Sequence, residues 1–235
     1  MKILALDSSG LTASVAILED DNLLGEYTIC FKKTHSQTLL PMLDEVVRML
    51  ELDLETVDGI AIAAGPGSFT GLRIGSATAK GLGLALNKPL LSVPTLEALA
   101  YNLYGTVGVI CPLMDARRNQ TYTGIYAWEE GRFQTVRESE AVAIEEILDA
   151  LNQLGKSVTF LGDGVPVFRE IIEEQLVVPY QFAPAHLSKQ RAGAVAALGY
   201  CYMKEGRSES AAAHRPEYLR LSQAERERKE KEGIS

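Results

Sequence analysis

The order of predicted secondary-structure elements runs through this chain twice, and that repetition constrains the fold more than any single motif. In the first hundred residues three strands (KILALDSS, ASVAIL, LLGEYTIC) precede a helix over roughly 37 to 52, the strand GIAIAA, a helix over roughly 71 to 86 and the strand PLLSVP. After the helical stretch LEALAYNLY the pattern returns. VGVICPLMDA, TYTGIYAWEE and GRFQTVRES read as strands, IEEILDALNQL as a helix, SVTFLGD as a strand, VPVFREIIEEQL as a helix, and a last helix spans roughly 190 to 204. A three-strand meander followed by alternating helices and strands builds a mixed sheet with helices on its faces. The expected class is α/β, as two βββαβα lobes over residues 1–100 and 101–221. A charged, flexible tail is expected over 222–235, because AERERKEKEGIS mixes both charges and has almost no apolar face to bury.

With 235 residues and 46% hydrophobic content the chain can fill a real core. MKILALDSS is interrupted by Asp7 and lacks a signal-peptide pattern, and nowhere do about 18 uncharged apolar residues run together, so no membrane association is expected. Cys30, Cys111 and Cys201 lie far apart and are odd in number, which fits a reducing, cytoplasmic setting better than a disulfide framework or a cysteine zinc site. The formal charge of -8 opposes direct capture of a phosphate backbone, so any service to nucleic acid is expected through a partner.

The stretch GPGSFTGLRIG, residues 65 to 75, stands between the strand GIAIAA and a glycine- and alanine-rich helix. It matches neither G-x-x-x-x-G-K-[ST] nor G-x-G-x-x-G. Gly65, Gly67 and Gly71 allow positive φ or close backbone approach, Pro66 stiffens the turn, and Ser68 or Thr70 can cap the helix. A helix N-terminus at a strand end is a place for something anionic or for a partner's backbone. Asp7, Ser8, Ser9 and Gly10 admit two readings: a tight hairpin held by short polar side chains, or an approach to phosphate or metal.

The element order resembles the lobes of the actin, Hsp70 and sugar-kinase superfamily, in which the first hairpin carries an Asp and small polar residues near nucleotide phosphate. LALDSS, HSQTLLP, GPGSFTGLRIGSATAKGLGLAL, SVPTLEALA, MDARRNQTY and PEYLR together resemble the bacterial TsaB family, formerly YeaZ, over nearly the whole chain. The resemblance implies a non-catalytic paralogue of TsaD that assembles with it and with the ATPase TsaE. That machinery makes the threonylcarbamoyladenosine at position 37 of tRNAs reading ANN codons. The role implied is scaffold or activator, with tRNA met only through the complex. The resemblance leaves open whether two copies pair and whether ATP or ADP sits at the junction with the partner; no cofactor of the chain's own is expected.

The catalytic paralogue holds metal through H-x-x-x-H on its first helix, two imidazoles one turn apart. Here the segment is His35-Ser36-Gln37-Thr38-Leu39, with leucine replacing the second imidazole, and His186 and His214 offer no metal spacing. His35 is expected to help open the helix, with Ser36 as cap. In the second half the turn LGDGVP, residues 161 to 166, reads as structure, although with Asp7 and Ser9 it would serve the rival reading of an independent ATPase. A peptidase reading finds no nucleophile signature.

Binding surface is more evident than catalysis. Leu39, Leu40, Met42, Leu43, Val46, Val47, Met49 and Leu50 cover about half the circumference of the first long helix, wider than the ~100° stripe that docking on one sheet needs. The next helix carries small residues that let a neighbour come close. Leu39, Leu40, Leu43, Val46, Val47, Leu50, Leu72, Arg73, Ser76 and Lys80 are the expected partner interface, and Leu43→Glu or Val47→Glu, if these side chains are exposed, is expected to abolish assembly without unfolding the chain. Asp115, Arg117 and Arg118 cluster in a strand turn whose role the sequence leaves open.

Overall fold

The computed structural model describes residues 1–31 and 34–219; the expected tail therefore lies outside the described residues. Two five-stranded sheets have the same internal order. The first runs β3-β2-β1-β4-β5, from Asn22–Ile29 (β3), Ala13–Glu19 (β2), Lys2–Asp7 (β1), Gly59–Gly65 (β4) and Leu90–Pro94 (β5). The second runs β10-β9-β6-β7-β8, from Tyr180–Phe182 (β10), Val158–Leu161 (β9), Val109–Asp115 (β6), Gln120–Glu129 (β7) and Arg132–Ala143 (β8). Read from the meander edge inward, each sheet is an antiparallel hairpin pair followed by parallel strands, so the duplicated outline of the actin-like superfamily is present in both halves. The central strands are buried on both faces, which is why β1 and β4 are nearly unbroken apolar runs.

Helices α1 (His35–Met49) and α2 (Phe69–Leu86) cover one face of the first sheet. On the second sheet α4 (Ile144–Leu154) and α5 (Val165–Gln175) do the same, and Ile147, Leu148, Leu151, Phe168 and Ile172 enter its core. The last helix of each half crosses to the middle. α3 (Thr95–Tyr101) packs Leu96 and Leu99 against Ile110, Met114 and Leu161 of the second sheet, whereas α6 (Ala192–Lys204) lays Val195, Ala196 and Leu198 on Ile3, Ala61 and Val93 of the first. Glu26 and Ser14 satisfy the amides that open α6: Gly193 N donates to Glu26 Oε1 (3.0 Å) and Ala192 N to Ser14 Oγ (2.8 Å). A carboxylate there also suits the positive end of the helix dipole.

Two details differ from the sequence reading. β10 has only three residues, too few for alternation to register, and exists because it pairs in parallel with β9. α1 is preceded by Thr34 at its N-cap, and no side chain caps it, so Ser36 does not have that role. His35 instead turns its Nε2 to the Gly10 carbonyl, 2.8 Å away.

Candidate functional site

The glycines of residues 65 to 75 are where the first two turns of the chain meet. A β-carbon at Gly67 would lie 2.3 Å from the Ser9 carbonyl oxygen, and one at Gly71 would lie 2.0 Å from that of Ser8. At Gly65, whose φ is 130°, it would lie 2.2 Å from the Glu217 carbonyl oxygen. The same turns exchange hydrogen bonds: Ser68 N donates to Ser9 O (2.6 Å) and Ser8 Oγ to Gly71 O (2.9 Å). Ser68 caps α2 by accepting from Gly71 N at 3.3 Å. The Ser68 and Gly71 amides of the turn are thus engaged by the chain itself. Gly162 and Gly164 repeat the arrangement after β9, closing on the backbone of Leu113.

Asp7, Ser8 and Ser9 are interior, each at most 1% exposed. Asp7 Oδ1 accepts from Ser9 N (2.9 Å) and Ser9 Oγ (2.6 Å), the tight-hairpin arrangement. Asp7 Oδ2 is buried with no hydrogen-bond partner, and burial pushes the carboxyl up to about 6, against smaller opposing effects of the Ser9 bonds and His35. Beside this turn an open cleft of about 670 Å³ runs between the halves, lined by Ser9, Gly10, His35, Gly67, Ser68 and Phe69 on one side and Met114, Asp115, Arg117, Tyr122 and Asp163 on the other. Glu217, Tyr218 and Leu219 reach its rim. Of the expected anion contacts, Ser9, Gly67 and Ser68 line it, Asp7, Ser8 and Gly65 do not, and Thr70 is exposed on α2. Asp115 accepts from Arg117 N (2.8 Å) within a turn where Arg117, Arg118 and Asn119 all have positive φ. Among the described residues no group of three His, Cys, Asp or Glu could hold a metal ion.

The two helices divide differently from the sequence reading. Leu39, Leu43, Val46 and Leu72 are 1%, 4%, 8% and 2% exposed and belong to the chain's own core. Val47 and Leu50 are half-buried and pack on the same cluster, and Gly25 of β3 leaves room for the Val46 and Leu50 side chains. The apolar excess of α1 is largely the cost of covering β3 as well as β2. Leu40 remains outside at 52% exposure. On α2, Arg73 is exposed and stacks over Phe69 (4.1 Å), while Ser76 is buried and Lys80 is engaged by the chain itself. The open stripe of α2 is Arg73, Ala77, Gly81 and Leu84; the expected interface included Arg73, and Ala77 and Gly81 were among the small residues expected to admit a neighbour, but Leu84 was not singled out. Helical spacing of small residues did not separate the flank facing solvent from the flanks facing β1 and the C-terminal segment.

That segment is the feature the sequence concealed. Residues 209 to 219 run back over the first half: Glu209 pairs with Leu90, Glu217 N donates to Ala64 O (2.7 Å), and the Tyr218 ring packs at a tilt against Phe69 (centroids 4.8 Å apart). His214 is fully buried; its Nε2 is 2.8 Å from Ser76 Oγ, and its Nδ1 is 2.9 Å from Glu209 Oε1 and 2.8 Å from Ser92 Oγ. A Ser-His-Glu relay is therefore present by distance. Yet Ser76 is only 5% exposed, and any opening that uncovers it carries the His214 base away on the same segment. The arrangement clamps; it does not present a nucleophile.

Residues 29–228 match the sequence profile of the family described as TsaD, tRNA N6-adenosine threonylcarbamoyltransferase. The tRNA threonylcarbamoyladenosine biosynthesis protein TsaB of Bacillus subtilis is 34% identical over 225 residues, covering 96% of each chain. The chain belongs to the TsaB family. The TsaB of Escherichia coli is 30% identical over 181 residues, covering 76% of this chain and 78% of its own. The solved structure of YeaZ from Pseudomonas aeruginosa superposes with a TM-score of 0.79 at 28% identity, covering 93% of this chain and 99% of that one. The fold is that of the actin-like ATPases. Among the described residues no helix is long and apolar enough to cross a membrane.

Proposed function

We propose that this TsaB-family chain is an accessory subunit of cytoplasmic tRNA threonylcarbamoyladenosine synthesis, which binds a TsaD-like catalytic paralogue and holds it in its working arrangement. One observation carries the reading: α1 and α2 lie in contact and each leaves apolar or small residues exposed, Leu40 on α1 and Ala77, Gly81 and Leu84 on α2, where small residues let a partner helix approach and the leucines supply apolar contact. Absence of a β-carbon neighbour within 4 Å of Gly81 supports the same reading, because the chain's own packing does not require glycine there. The interior positions of Asp7 and Ser8 and the filled glycine turn favour this over an independent ATPase. A TsaE-like ATPase and tRNA would join through the complex, at adenosine 37 of ANN-decoding tRNAs.

The test is reconstitution with the purified paralogue, TsaE-like ATPase and tRNA of the same organism. Modification that requires this chain, together with negligible ATP turnover by the chain alone, is the expected result; modification at full rate without it overturns the reading.

A further inference from the structure

We propose that the C-terminal segment is a clasp that fixes the position of α2, and that His214 acts through it as a positioning residue for partner binding. The inference rests on reading α1 and α2 as the partner surface. α2 meets the core through Leu72 and Ala79, but its first turns approach Ser8 through Gly71 and Gly75, which have no side chain to fix the helix sideways. Small residues allow close approach but bury little apolar area, and lateral position then depends on directional bonds and on what flanks the helix. α1 lies on one flank. The clasp lies on the other.

Its contacts follow α2 for two turns. Ser76 bonds the His214 ring at 2.8 Å, Lys80 Nζ donates to the carbonyls of Ala212 (3.2 Å) and His214 (3.1 Å), and Ala211 covers Gly83, where a β-carbon would lie 2.8 Å from its own. The ring also joins Ser92 of β5, so one imidazole ties helix, sheet and clasp together. A carbonyl cannot donate, whereas here all three ring neighbours are hydroxyls or a carboxylate: with Nδ1–H donating to Glu209, Nε2 accepts from the Ser76 hydroxyl. Ser76 precedes Ala77 of the open stripe by one residue, about 100° round the helix. The clasp therefore leaves the stripe free and sets where it stands relative to α1. A close helix contact built on Ala77 and Gly81 tolerates little displacement.

The experiment measures the dissociation constant for the purified TsaD-like paralogue and, separately, amide hydrogen exchange along α2 in the free chain. His214→Ala is expected to weaken binding by about tenfold or more and to speed exchange in α2, while His214→Gln, which keeps a donor and an acceptor, recovers part of both. Ile147→Ala, which loosens the second lobe, serves as the control for mere loss of stability and is expected to leave affinity within about twofold. Ser92→Ala, which removes the hydroxyl that joins both the His214 ring and Glu209 while leaving the Ser76 bond in place, replaces His214→Ala if that variant does not fold. Unchanged affinity or unchanged α2 exchange in the clasp variant, or equal weakening by Ile147→Ala, overturns the proposal. Failure of the unaltered chain to bind the paralogue is a different result, and overturns the functional reading itself.

Discussion

His214 Nε2 and Ser76 Oγ, 138 positions apart in the chain, stand 2.8 Å from one another in an interior that contains no exposed part of the ring. A histidine at the end of a chain with three histidines thus becomes a connector between α2, β5 and the returning segment. Glu209 completes it. Burial pushes the Glu209 carboxyl up, but hydrogen bonds from Ser92 and His214, with the nearby Lys80 charge, outweigh this and hold it below the usual range.

Loss of the Ser76 hydroxyl leaves one buried ring nitrogen without a partner. Ser76→Ala is expected to destabilise the chain by about 1–3 kcal/mol, read as a lower urea midpoint with an unchanged slope. A cost within about 0.3 kcal/mol would mean that the ring finds another partner.

Two glycines of α2 are expected to respond with opposite sign to the same change. Alanine is the better helix former by about 1 kcal/mol, and at Gly81 nothing lies within 4 Å of the added carbon, so Gly81→Ala is expected to stabilise the free chain by up to that amount. At Gly71 the added carbon meets the Ser8 carbonyl oxygen at 2.0 Å, and backbone must move; Gly71→Ala is expected to cost about 2 kcal/mol or more despite its propensity. Equal melting temperatures for the two variants would contradict the close approach of the turns.

Asp7 makes a pH dependence of its own. Its folded-state pKa is raised from 3.8 to about 6 by burial, so the unfolded chain loses its proton first as pH rises, and the folded state binds more protons in between. Stability is then expected to fall by about 3 kcal/mol between about pH 4 and 6 and to change little from this source above that. Asp7→Asn removes the titration. Urea midpoints at acid and neutral pH should converge in the variant relative to the parent, and an unaltered difference would place the pH dependence elsewhere.

Charge on the open stripe should separate folding from assembly. Leu84, 63% exposed, tolerates Glu in the free chain, so Leu84→Glu is expected to keep its circular dichroism and melting temperature while binding to the paralogue drops by about a hundredfold. Leu43→Glu, which the sequence suggested for the same purpose, places a carboxylate in the core at 4% exposure and is expected to unfold the chain instead. Both outcomes are read by one melting curve and one binding isotherm per variant.

The sequence by itself determined the elements and their doubling. Apolar runs such as GIAIAA can be satisfied only in the buried middle of a sheet, and helix-period stretches between them fix the crossovers, so among the described residues the strands and the six α-helices were legible except for the three-residue β10. It also offered Ser68 or Thr70 as the cap of α2 and marked the glycines beside them; the structure selects Ser68. The tertiary structure decided what those glycines face. Close approach is a property of a glycine, but its partner, the Ser8 or Ser9 carbonyl, is set by how β1 and β4 lie together. The same holds for α1 and α2: periodicity marks a residue as apolar or small, whereas burial depends on neighbours from β3 and from residues 209 to 219, which no local pattern places there.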